Sequence, residues 1–256
     1  MREFFGIGGY TREPEGYMSW QHLVFVTSVL IVMTLLAVFI GRKYKNLEVK
    51  RKNRVLLWAS ILINFFEAFK TVMVCVNAQD AMRWLYELPL FLCSIQLITI
   101  PLAALTRGRV KEASLDFVLI FGLLGAVLGT YGAGQNYACY PVLSFDNVVS
   151  AITHSISGFS ALYIAISGMA SLKKKNIPIT FAILLGFCGA AYVANITLDY
   201  NYMFLMRGDG TPYDVLMTIV GGNQTAYTIG VVVLFLIYIV LFYSVYYLIN
   251  RKRKKA

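Results

Sequence analysis

Seven blocks of about twenty apolar residues, divided by short charged stretches, constrain this chain more than any other feature. A bilayer core of about 30 Å needs about 20 residues of helix to cross it. A backbone inside lipid must satisfy its own hydrogen bonds, so each block is read as a helix. The blocks fall at about 19–40, 55–76, 84–105, 115–131, 145–170, 178–198 and 227–249. The expected fold is therefore all-α: one polytopic transmembrane helical domain with seven spans. The overall balance agrees. Of 256 residues, 58% are hydrophobic and 14% charged, against roughly 25% charged in a soluble domain.

The net charge of +10 suggests an acidic partner, but the positions of the cations exclude nucleic acid. Eighteen of the 23 Lys and Arg residues lie in the segments after spans one, three and five and in the tail from Arg251 to Lys255. Only Arg2, Arg12, Arg83 and Arg207 lie in the alternate segments. By the positive-inside rule, the N-terminus is outside and the C-terminus cytoplasmic. The basic tail is also suited to anionic lipid headgroups. No cleavable signal peptide is expected, because the first 18 residues are polar and the first apolar block is too long for one. Cys75, Cys93, Cys139 and Cys188 form no CxxC pair, and with two histidines no metal site or cofactor is expected.

Ionisable and polar groups inside spans are costly, so each is a candidate site. Here they recur at helical spacing. Ser60, Asn64, Glu67 and Thr71 share a stripe of span two, and Cys93 and Gln96 share one of span three. Ser150, His154 and Ser157 do so in span five, and Tyr192, Asn195 and Asp199 in span six. Cys93 and His154 each lie nine residues inside the outer end of an inward-running span, and Glu67 nine residues before the end of an outward-running one. Nine residues of helix are roughly 13 Å, so these three groups are expected in one layer, facing an outward-opening polar cavity.

A thiol reacts as the thiolate, and an imidazole can take its proton, as in acyl transfer. Glu67 could orient His154, or pair with Lys70 one turn away. A cysteine in a helix is equally a small packing residue, and a membrane histidine can be a structural hydrogen-bonding group. Gly125 and Gly129 form a GxxxG pattern, read as helix packing. Asn223-Gln224-Thr225 has the form of a glycosylation sequon, and His22 is placed at the interface. Span seven has no lysine, which disfavours a retinal-type receptor.

The run Glu87-Leu88-Pro89-Leu90-Phe91-Leu92-Cys93-Ser94-Ile95 resembles the LPLxLCSI signature of the YwaF-type integral membrane proteins of bacteria, a family related to the animal transmembrane protein 164 acyltransferases. Glu67-Ala68-Phe69-Lys70, Thr153-His154-Ser155, Asn201-Tyr202-Met203-Phe204-Leu205 and Ser19-Trp20-Gln21-His22 resemble that family's other motifs, in the same order. Phe91 stands where the family often has histidine, and Gly221-Gly222-Asn223-Gln224 replaces its aromatic, proline-rich run. These departures bear on substrate more than fold. The resemblance implies a lipid acyltransferase or lipase of the outer leaflet, in which Cys93 takes the acyl group beside His154. Glu67, Lys70, Asn64, Gln96, Asn195 and Asn201 are then the supporting residues and membrane lipids the partners. The expected location is the cell membrane, multi-pass, in bacteria the cytoplasmic membrane. The competing readings are a small-solute transporter using the same polar layer and a non-catalytic lipid-binding protein.

Overall fold

The computed structural model describes residues 1–170 and 172–253, of which 250–253 by their backbone alone. Lys254, Lys255 and Ala256 of the basic tail lie outside the described residues. The described chain is all helical, without strands. In order the helices are α1 (Trp20–Tyr44), α2 (Val49–Ala78), α3 (Gln96–Leu105), α4 (Gly108–Tyr131), α5 (Gly134–Cys139), α6 (Phe145–Ile166), α7 (Ile177–Leu198), α8 (Tyr213–Ile219) and α9 (Gln224–Arg253). Six of the helical stretches, those containing α1, α2, α4, α6, α7 and α9, are long and apolar enough to cross a membrane. Large apolar side chains such as Leu35, Phe39, Trp58, Phe65, Ile196 and Leu241 lie exposed on them, as lipid contact requires.

The expected third span departs from a single helix. A 3-10 turn covers Ala81–Tyr86, residues 87–95 are irregular, and α3 has only 10 residues. That is about 15 Å, half a bilayer. Pro89 is the physical reason: it lacks an N–H and pushes Leu88 out of the helical region. Cys93 therefore lies before α3 rather than on a helical stripe with Gln96, and its depth does not follow from helical rise. Irregular backbone at this level must be covered by protein. Here the Leu88 N–H donates to the Tyr202 hydroxyl at 3.3 Å, and that hydroxyl donates to the Leu85 carbonyl at 2.6 Å.

Helix α4 is the central post. Phe117, Val118, Ile120 and Ala126 on it are fully buried, and it packs on α6, α3 and α7. Glycine brings α4 and α6 together: a Cβ at Gly122 would stand 2.8 Å from the Ser157 carbonyl oxygen. The three described basic segments meet at one end. Arg109 donates to the Lys175 carbonyl, Lys173 pairs with Glu112 at 2.6 Å, and Lys52 donates to the Ser167 carbonyl. The far part of α9 reaches the same end, where Tyr247 donates to the Leu172 carbonyl.

The N-terminal segment, residues 1–18, lies across the opposite end. The Phe145 N–H donates to the Phe4 carbonyl, Asn77 to the Phe5 carbonyl, and Tyr10 to Asp146. Glu15 receives the Val142 N–H at 2.8 Å. Phe4 and Phe5 pack on Phe145, with ring centroids 6.0 and 5.2 Å away.

Candidate functional site

Two glycines one turn apart on α4 seat the two reactive side chains. A Cβ at Gly125 would meet the Cβ of Cys93 at 3.4 Å, and one at Gly129 would fall on the His154 imidazole. Four residues of helix advance about 6 Å, so thiol and imidazole lie on neighbouring turns of one surface, Cys93 from the irregular segment and His154 from α6. The His154 ring also approaches the Gly125 carbonyl. The Cys93 sulfur has Ser94 Oγ at 4.0 Å. Among the described residues no hydrogen bond joins Cys93 to His154.

The charged groups gather toward the end covered by residues 1–18. Lys70 Nζ is 2.9 Å from Glu87 Oε2 and 3.6 Å from Glu67 Oε1. Lys70 also lies within electrostatic reach of Cys93, His154 and Asp146, and Glu67 of Cys93. Of the two roles open to Glu67, the pairing with Lys70 is the one present. Glu87 is the nearer partner and the one hydrogen-bonded to Lys70, and its role was not legible. An acidic residue at the head of an apolar run was a signal, but nothing in the spacing tied it to Lys70 seventeen positions earlier. Asp146 is the second unforeseen member. It opens α6, where Ser144 caps the helix by accepting the Asn147 N–H, and it accepts the Tyr10 hydroxyl at 2.8 Å. Burial, then the Asp146 carboxylate, holds the Tyr10 phenol well above its ordinary range.

The expected supporting asparagines serve the backbone. Asn195, buried on α7, does not present its amide to Cys93: it accepts the Tyr202 N–H at 2.6 Å and donates to the Tyr202 carbonyl at 3.0 Å. Asn201 accepts the Met206 N–H and donates to the Arg207 carbonyl and to Asp209. The turn they brace is strained, with Asp199, Met203 and Phe204 at φ of 48°, 55° and 56°. The brace matters because Tyr202 holds Leu85 and Leu88, and its ring lies 5.2 Å from that of Phe91. Burial pushes the Tyr202 phenol up to about 12. The Asn201–Leu205 and Leu88–Ile95 motifs, a hundred positions apart, thus pack on one another, and Asn195 is tied to the second of them through Tyr202.

Asn64 donates to the Leu97 carbonyl, tying α2 to α3. Gln96 is fully buried and accepts the Thr99 hydroxyl at 3.0 Å, while its Nε2 has no hydrogen-bond partner among the described residues. His22, at the start of α1, is buried by the chain around it: Nδ1 accepts the Met18 N–H, Nε2 faces the Thr130 carbonyl at 3.2 Å, and the ring lies tilted against that of Tyr137, centroids 3.9 Å apart. The accepting Nδ1 fixes the proton on Nε2. Among the described residues no three His, Cys, Asp or Glu side chains converge as metal ligands. Residues 1–18 lie across the end at which the expected cavity would open.

Six long apolar helical stretches, with α4 the most buried of them and ionisable groups drawn inward, define a multi-pass helical membrane protein. The model of the TMEM164 family matches residues 17–243, and the chain belongs to that family. No curated protein and no solved structure matches it.

Proposed function

We propose that this protein is a thiol-dependent acyltransferase or lipase acting on membrane lipid esters, with Cys93 as nucleophile and His154 as base. The observation that carries this reading is the seating of Cys93 and His154 on Gly125 and Gly129. Nε2 or Nδ1 of His154 takes the Cys93 proton. The thiolate attacks the ester carbonyl, a tetrahedral oxyanion forms, and it collapses to a Cys93 thioester as the lipid alcohol leaves with the proton from His154. A second alcohol, or water in the lipase case, loses its proton to His154 and attacks the thioester, restoring the thiol. Proton transfer needs an approach of about 2.6–3.2 Å or one bridging water, so substrate entry includes a side-chain movement across the turn between Gly125 and Gly129. Glu67, Lys70 and Glu87 set the local charge; Asn64, Gln96, Asn195 and Asn201 hold the segments that carry the reacting groups.

The same reading places the chain in the cell membrane with seven passes, N-terminus outside and C-terminus cytoplasmic, the third pass being the broken one that ends in α3. The meeting of the basic segments at one end and of residues 1–18 at the other supports it. That orientation puts Cys93 in the half of the bilayer holding outer-leaflet ester bonds.

The test is acyl transfer from a labelled phospholipid in vesicles containing the purified protein. Cys93→Ala should abolish transfer, His154→Ala should slow it strongly, and Cys75→Ala, Cys139→Ala and Cys188→Ala should keep most of it. Full activity in Cys93→Ala would overturn the mechanism.

A further inference from the structure

A cavity of about 740 Å³ lies along the lipid-exposed side of the bundle, on a face apart from Cys93 and His154. Its walls are α1 and α2, and its floor is α6. Both α1 and α2 lie along α6, and the groove is the gap this leaves between them. Val32, Met33 and Leu36 of α1 face Ala59 and Leu62 of α2 across Ile152 and Phe159 of α6. On α6, the residues at 152, 155, 156 and 159 line the groove, while His154, Ser157 and Ala161 approach α4. The two sites use different faces of one helix. The volume is in the range of ligand sites, and from Ser28 to Lys43 the groove follows sixteen residues of helix, about 22 Å from first to last.

The groove is chemically graded. Its length is apolar, and its one charged lining residue, Lys43, stands at the end with Tyr44. The last turn of α1, the short connection and the first turns of α2 add Arg42, Lys45, Lys50, Arg51, Lys52 and Arg54 against a single Glu48. Among the described residues Lys43 forms no ion pair. An apolar trough next to hydrocarbon cannot stay empty without losing its dispersion contacts. A basic pocket at headgroup level between spanning helices favours an anionic headgroup. We infer that this groove is a binding site for one anionic phospholipid, its phosphate at Lys43 and an acyl chain lying between α1 and α2 on α6. The site is independent of thioester chemistry: Cys93→Ala should bind the lipid as wild type does.

The experiment is native mass spectrometry of the full-length protein from nanodiscs of equal phosphatidylglycerol and phosphatidylcholine. Wild type should retain one phosphatidylglycerol per chain, preferred about tenfold over phosphatidylcholine. Lys43→Glu should bring the ratio to about one. Lys45→Glu, which changes the same charge outside the groove, should leave it. Ala59→Trp should remove the retained lipid by filling the groove, and Val32→Trp, at an exposed position, does the same should Ala59→Trp fail to fold. Unchanged preference in Lys43→Glu, equal loss in Lys45→Glu, or lipid retained by both tryptophan variants would overturn the site. So would a lipid-free dimer broken by Val32→Trp, which would assign the groove to a second copy of the chain.

Discussion

A methyl group at Gly129 would occupy the space of the His154 imidazole, whereas one at Gly125 would just touch the Cys93 Cβ. The two glycines therefore separate by experiment. Gly129→Ala must push the imidazole off α4, with an overpacking cost of about 1–3 kcal/mol, and should lower acyl transfer at least tenfold. Gly125→Ala has little to displace and gains helix propensity of up to about 1 kcal/mol, so its stability should hold and its activity fall less. Transfer rates and thermal unfolding in detergent distinguish them; equal effects would show that both positions are only helix packing. The charged trio gives a second residue-scale prediction. Lys70→Met would leave Glu67 and Glu87 facing each other, and should cost about 3 kcal/mol, the low end for breaking a buried pair, because the three side chains keep about a fifth of their surface exposed. Adding Glu87→Gln should restore more of the midpoint than adding Glu67→Gln, since Glu87 is the nearer partner. Equal rescue would mean that the 2.9 and 3.6 Å separations do not rank the pairs.

At the scale of elements, six long helices were legible because hydrophobic length and helical backbone satisfaction are the same requirement in lipid. The break in the segment before α3 was not, because Pro89 and the motif around it read equally as an apolar helix until Tyr202 is seen to take up its freed backbone groups. That partner comes from a loop more than a hundred positions away, and periodicity carries no information about it. Asn195 was legible as a polar residue on the inner side of its helix, but its target was not, since a side-chain amide fits a cavity or a strained turn equally well. The Tyr202 phenol offers a pH test of this link. Its value in the fold is raised from near 10 to about 12, so its contribution to stability is complete below about pH 10 and is lost as pH rises toward 12. The stability difference between wild type and Tyr202→Phe should be constant from pH 6 to about 9.5 and shrink above it. A difference that shrinks near neutral pH would contradict the proposed brace.

For the whole molecule, the proposed sidedness rests on the distribution of lysine and arginine, and the contacts among Arg109, Lys175, Lys173 and Glu112 bring two of the basic segments together at one end. The cover formed by residues 1–18 was not legible. A polar stretch without periodicity gives no sign of where it docks, and its place is set by the hydrogen bonds with Asn77, Phe145, Asp146 and Val142 and by the packing of Phe4 and Phe5 on Phe145. Reporter fusions after Arg54, Gly108, Lys175 and Ala256 should read cytoplasm, and fusions after Asp80, Tyr140 and Gly210 outside. Reversal at two or more sites would refute the seven-pass orientation.

The central claim is that Cys93 carries an acyl group during turnover, and peptide mass spectrometry of the protein quenched in acid with phospholipid vesicles measures it directly. The account predicts an acyl mass on the peptide containing Cys93, removed by neutral hydroxylamine, absent in Cys93→Ser and accumulating far more slowly in His154→Ala. An unmodified Cys93 while lipid is being turned over, or a thioester on Cys75, Cys139 or Cys188 instead, would contradict it.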